Sequence, residues 1–242
     1  MHDANAHSAV SDALVTFAGA VLNDQHVQTA AARAVAEARA QIVNAGDAGP
    51  QLAELLQSQG SSPNDTRVRS WVLGATLAAQ ASSPSTPVLA AVIALGEKLA
   101  VSDDETAAAA AVGIEAAARV LAAVDNEEFR ARWNVSSAVG LFGAALAASR
   151  LLKLDETRTR HALGIAATQA AGLAHNGAQA MAALETGKAA ADAIEAALLA
   201  KHGFTSAPAS IDGRRGFAAL MAYRFDASLI TDGLGTRWIS FS

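Results

Sequence analysis

Residues 140–173 read GLFGAALAASRLLKLDETRTRHALGIAATQAAGL, and the fold is decided by how this stretch is read. The segment 138–152 is apolar, free of Pro and built of small or straight-chain residues, which predicts a helix. Gly140 and Gly143 remove side-chain bulk, so a neighbouring helix can come close there. Asp155 then offers a carboxylate to the unpaired amides of a new first turn, which predicts a second helix reaching Ala171. The chain is 52% hydrophobic but only 5% aromatic. Its interior must therefore be made of small side chains on closely approaching helices rather than of large rings.

The same signals recur on both sides of this stretch. Upstream, Val10, Leu14, Phe17 and Val21 keep helical spacing and stop near Asn23 and Asp24, where an Asx residue can cap a helix over 25–43. Residues 44–50 break the pattern, a short helix runs to Ser58, and QGSSPND at 59–65 is a polar loop. A helix over 66–79 is expected to stop at QASSPSTP (80–87), because Pro84 and Pro87 lack amide donors. Another helix then resumes over 88–101. Ser102 and Glu105 have capping-box spacing and open an Ala-rich helix to about Ala123.

Downstream, residues 172–179 (GLAHNGAQ) are loop by composition, and 181–202 form the last long helix, ended by Gly203. Residues 212–242 hold short irregular pieces. Strands are marginal throughout, so one all-α domain over 1–242 is expected.

Charge and composition exclude several functions. A formal charge of −5 without any Lys/Arg run leaves no field to neutralise phosphates, so nucleic acid is not an expected partner. Cysteine is absent, which removes disulfides and thiolate chemistry. The apolar runs 107–114 and 140–148 are shorter than the roughly 20 residues of a bilayer span, so no membrane is expected. The first twenty residues include Asp3 and Asp12 and do not read as a signal peptide; the cytoplasm is the expected location. None of the six His shares a ligand pattern with another His or a carboxylate, and 213–216 is neither a P-loop nor a dinucleotide fingerprint. No metal or cofactor is expected.

The stretch at 140–173 also resembles the central signature of the MmgE/PrpD family, in which a helix of small residues ends in a Leu-x-Leu-Asp turn and leads into an ALGIA…QA-GL helix. Three further blocks follow the family's order: 84–97 (PSTPVLAAVIALGE), 187–205 (GKAAADAIEAALLAKHGFT) and 213–238 with its G-x-x-G-F and L-G-x-x-W elements. The resemblance implies the all-α half of a two-domain, dimeric fold whose pocket lies under a smaller α/β lid. Relatives continue past the last element into that lid, whereas this sequence stops four residues beyond Trp238, so a helical domain without the lid is expected.

At the positions where the family carries its chemistry, this sequence differs. The His-Pro-Ser/Gly loop matches Ser83-Pro84-Ser85, placing Ser83 where the first active-site His stands. The Trp/Phe-His-Pro-Thr segment matches Trp133-Asn134-Val135-Ser136, placing Asn134 at the second His. The Lys-x-x-His-x-Gly segment matches residues 182–187, with Ala182 for the Lys and Glu185 for the His. Abstracting a proton beside a carboxylate needs a base of suitable pKa and a partner for the developing enolate. Of these replacements only Glu185 can act as a base, and the lost Lys takes away its cationic neighbour.

Two readings follow. Glu185, Asn134 and His175 can carry a remodelled catalytic site, with Ser83, Ser136 and Gln169 binding substrate. The protein is then a repurposed small-molecule binder or a lyase, isomerase or cyclase that does not use the family's dehydration or decarboxylation route. Alternatively these are ordinary loop and helix-end residues of a non-catalytic scaffold, either a homodimer, as the family resemblance implies, or a partner subunit of a full-length paralogue. His161, sharing a helix phase with Arg158 and Ile165, reads as a surface or interface residue. His2, His7, His26 and His202 read as terminal or exposed. Arg130, Arg132, Arg214 and Arg215 read as solvated charges beside turns, with anion binding as the sharper alternative.

Overall fold

A computed structural model describes residues 8–44, 46 and 48–241 of the chain; His2 and His7 lie outside the described residues. Within them are twelve α-helices and no strand. In chain order these are α1 (Ala9–Gly19), α2 (Gln25–Val43), α3 (Ala48–Ser58), α4 (Thr66–Gln80), α5 (Ser85–Leu99), α6 (Asp103–Val124) and α7 (Glu127–Arg132). There follow α8 (Val135–Leu151), α9 (Glu156–Ala167), a 3-10 turn at Ala174–Asn176, α10 (Ala180–Lys201), α11 (Phe217–Met221) and α12 (Ser228–Thr231).

The central element is α8. Residues 136–149 are all buried, as expected of a helix that is apolar on every side. On one flank it meets α5, α9 and α10, where Ala, Leu and Ile side chains from α4, α5, α8 and α10 form one cluster. On the other it meets α6, and a second cluster draws in α1, α7, α11 and α12. The scarce aromatic rings concentrate in this second cluster: Phe217 packs edge-on against Phe142 at 4.7 Å and against Phe129 at 6.4 Å. Small residues thus let α8 approach its neighbours closely on both flanks, with Gly140 facing Pro87 of α5 and Gly143 facing Gly113 of α6, while rings fill the space beside the short C-terminal pieces.

Helix starts follow the sequence signals. The Asp24 carboxylate accepts the amides of His26 and Val27 at 2.9 and 3.2 Å. Asp155 accepts the amide of Arg158 at 2.8 Å. Ser102 and Glu105 form the reciprocal capping box, each side chain accepting the other's backbone N–H at 3.2 Å. Ser102→Ala is expected to cost about 1 kcal/mol, read as a lower urea midpoint with an unchanged slope.

Five boundaries differ from the sequence expectation. Pro50 and Pro87 are each the third residue of a helix, α3 and α5, because first-turn amides have no intrahelical acceptor and a Pro there forfeits no bond. The first helix ends at Gly19, leaving Val21 79% exposed; Arg150 Nη1 donates to the carbonyls of Ala18 and Ala20 at 2.7 and 2.8 Å and takes up the chain where it leaves the helix. Helix α9 stops at Ala167 rather than Ala171. Beyond it the Gly172 carbonyl accepts the Asn134 amide at 3.0 Å and the Ala171 carbonyl accepts the Ser137 hydroxyl at 2.8 Å. An isolated bridge joins Trp133 to Leu173. These tertiary bonds hold the segment out of the helix. Finally α8 starts at Val135, earlier than 138, because Asn134 caps it through a bond from the Ser137 amide.

By length and composition α6 is long and apolar enough to cross a membrane, but 72% of its apolar window is buried inside the protein. It packs on α2, α5 and α8. On its inner side Glu115 and Arg119, both fully buried, form an ion pair at 2.7 Å.

Candidate functional site

Three segments meet beside the start of α10: the turn from Trp133 into α8, the loop 168–177, and the first turns of α10 itself. Glu185 sits where they converge. Its Oε1 accepts the Asn176 side-chain amide at 3.0 Å and its Oε2 accepts that of Asn134 at 3.3 Å. Asn134 also donates to the Ala182 carbonyl at 3.2 Å, so its amide is oriented from two sides. Two neutral donors therefore fix the Glu185 carboxylate without cancelling its charge.

The loop reaches this close only because residue 172 is Gly. Gly172 has φ +116°, and a Cβ on it would lie 2.2 Å from Ser137 Oγ and 2.9 Å from Asn134 Cβ. Both the backbone region and the space exclude a side chain. Gly172→Ala is expected to destabilise the protein by about 1–3 kcal/mol and to free the Asn134 amide, seen as faster hydrogen exchange at residue 134.

Glu185 lines a cleft of about 450 Å³ whose walls include Trp71, Gln169, Met181, Leu184 and Lys188. Trp71 is anchored by its indole N–H, which donates to the Leu184 carbonyl at 3.0 Å. Lys188 pairs with the Asp192 carboxylate four residues on and stands 5.8 Å from the centre of the Trp71 ring. Burial pushes the Asp192 carboxyl above its usual range, with the Lys188 ammonium pulling the other way.

Of the residues singled out by sequence, Glu185 and Gln169 line the cleft, and Asn134, itself off the cleft wall, reaches Glu185 through its side-chain amide. Ser83 is exposed and engaged at the start of α5, its hydroxyl 2.8 Å from Ser85 and its amide donating to Thr86. Ser136 is buried in the first turn of α8 and does not line the cleft. His175 is exposed on the 3-10 turn and also lies off the cleft wall. Ser83 lies just before α5, where its hydroxyl meets those of Ser85 and Thr86, and Ser136 is buried among the residues of α8.

Ala182 leaves Glu185 without a cation at the family's Lys position, yet Lys188 lies in the same cleft. Glu185, Lys188 and Asp192 are spaced i, i+3, i+7 and so share one helix face. That signal was available in the sequence. The contributions of Trp71 and Asn176 were not, since they come from distant or loop segments.

Other polar residues have structural partners. His161 accepts the Ser206 amide at Nδ1, 3.1 Å away, while its carbonyl accepts the Ser206 hydroxyl at 3.1 Å. Arg130 makes a two-pronged pair with Asp125 at 2.6 and 2.8 Å. Arg132 reaches the Met221 carbonyl, and Arg214 and Arg215 are exposed. His26 Nε2 lies 3.2 Å from the Phe241 carbonyl. Among the described residues no group of three His, Asp or Glu is placed to hold a metal ion.

Comparison with known proteins agrees with the architecture. Residues 68–230 match the family model described as the MmgE/PrpD N-terminal domain. Human (Homo sapiens) cis-aconitate decarboxylase is 37% identical over 147 residues, covering 59% of this chain and 31% of the human protein. The mouse (Mus musculus) cis-aconitate decarboxylase is 34% identical over 147 residues, covering 59% of this chain and 30% of its own. The chain therefore spans about a third of the length of the curated relatives it matches. With the helical fold, the block order and a family match over more than half of its length, the chain belongs to the MmgE/PrpD family.

Proposed function

We propose that this protein binds a small organic molecule in the cleft between α4, α10 and the loop 168–172, and that any turnover there is of lyase, isomerase or cyclase type without the family's His/Lys apparatus. The observation that carries this reading is the Glu185 carboxylate, held by two asparagine amides at the wall of the cleft. Side chains are fixed in this way where geometry matters to a ligand. Ser83, Asn134 and Ala182, standing at the family's His, His and Lys positions, do not titrate near neutrality. Proton transfer by the relatives' route has no agent among them.

The test is ligand-induced thermal stabilisation across a panel of small organic acids, amines and alcohols. Glu185→Ala and Asn134→Ala are each expected to abolish the shift given by any binder. Shifts that survive both substitutions would remove this assignment.

A second reading, a dimeric scaffold or a partner subunit, is supported by exposed apolar side chains near the same end of the molecule. Leu173 is 56% exposed and Met181 45%. Leu220 and Tyr223 protrude around α11, whose Met221 carbonyl accepts the Trp133 indole N–H at 3.0 Å. Under this reading, sedimentation shows a dimer that Leu220→Lys and Tyr223→Lys dissociate, and no panel compound binds.

A further inference from the structure

We infer that the cleft selects an organic cation, a primary ammonium carried on a compact apolar body, rather than a carboxylate. This rests on the ligand-binding reading above and gives it a chemical class. Three charged side chains line the cleft: Glu185, Lys188 and Asp192. Lys188 is already paired with Asp192 and shares the face of Trp71, so the cation and one anion cancel. Glu185 is left. Among the described residues no ion pair reaches it, and its two bonds come from neutral amides.

The wall therefore carries one uncompensated negative charge. A carboxylate offers about four acceptor positions, of which Asn134 and Asn176 occupy two. The two that remain can accept from two of the three N–H donors of an ammonium, and a charge-assisted bond of that kind is the strongest the site can make. Trp71, Met181, Leu184 and Ala189 supply apolar surface for the rest of the molecule. An anionic ligand would meet repulsion from Glu185 and would have to displace Asp192 from Lys188 to find a cation.

Calorimetric titration of the full chain at neutral pH distinguishes the cases, using benzylamine, its neutral counterpart benzyl alcohol, and citrate. Benzylamine is expected to bind once per chain, benzyl alcohol at least about tenfold more weakly, and citrate not at all. Glu185→Gln lowers benzylamine affinity to the level of the alcohol. Lys188→Met, which uncovers the second carboxylate, tightens benzylamine. The comparison of amine with alcohol uses the unaltered protein and does not depend on any variant folding.

Citrate binding that Lys188→Met abolishes would overturn the cation assignment and leave the ligand-binding reading standing. So would equal affinity for benzylamine and benzyl alcohol, or benzylamine affinity unmoved in Glu185→Gln. If none of the three compounds binds, both the cation assignment and the ligand-binding reading fall.

Discussion

Arg119→Ala is expected to remove about 3–5 kcal/mol of folding stability, because it strands the buried Glu115 carboxylate without its partner. The cost is not confined to the pair. Arg119 donates to the carbonyls of Ile230 and Asp232 at 3.1 and 2.9 Å, and also reaches those of Gly233 and Arg237. Glu115 accepts the amides of Ile239 and Ser240 at 3.1 Å. One ion pair on α6 therefore satisfies the backbone of the irregular segment 230–240, which has no sheet or long helix to pair its own polar groups. Urea denaturation gives the loss in stability, and limited proteolysis is expected to cut first within 229–240. Arg39→Ala is the control. Arg39 pairs with Asp103 at 2.8 Å on the exposed surface, and its loss is expected to cost no more than about 1 kcal/mol.

Gly143→Ala is expected to destabilise by about 1–3 kcal/mol, although Ala is favoured over Gly inside a helix by about 1 kcal/mol. The added Cβ would lie 2.1 Å from the Gly113 carbonyl oxygen and 2.9 Å from Ala117 Cβ. Both obstacles are on α6, one of them backbone, so no side chain can swing aside. Helix α8 cannot retreat, since α5, α9 and α10 close its other sides. A second close approach joins α4 to α10, where a Cβ on Gly74 would lie 2.7 Å from Gly187 Cα. Gly19→Ala, at a position with nothing within 4 Å, is expected to leave the urea midpoint nearly unchanged. If Gly143→Ala is equally silent, the two helices have more freedom than the packing implies.

The candidate site was partly legible in the same terms. Glu185 and Asn134 came from block-by-block resemblance, and the structure joins their side chains. Lys188 and Asp192 were one and two helix turns away on the same face and needed only periodicity to be seen. Asn176 was unreadable, because a nine-residue separation across a 3-10 turn has no fixed geometry until the loop is folded. Ser83 and Ser136 were placed by alignment with a motif, but a motif position does not say whether a hydroxyl faces a cavity or serves the adjacent helix start.

The sequence by itself determined the all-helical class, the starts of α2, α6 and α9 and the room for a neighbouring helix at Gly143. Each is set by interactions within about one helical turn, by caps, by the absence of Cβ and by apolar composition. Only the tertiary structure decided where α9 stops, that Pro50 and Pro87 fall inside helices, that Glu115 and Arg119 grip residues more than a hundred positions away, and which polar groups share the cleft with Glu185. Those outcomes depend on backbone groups finding distant partners. A buried donor or acceptor must be paired somewhere, and the identity of its partner is fixed by how the helices pack.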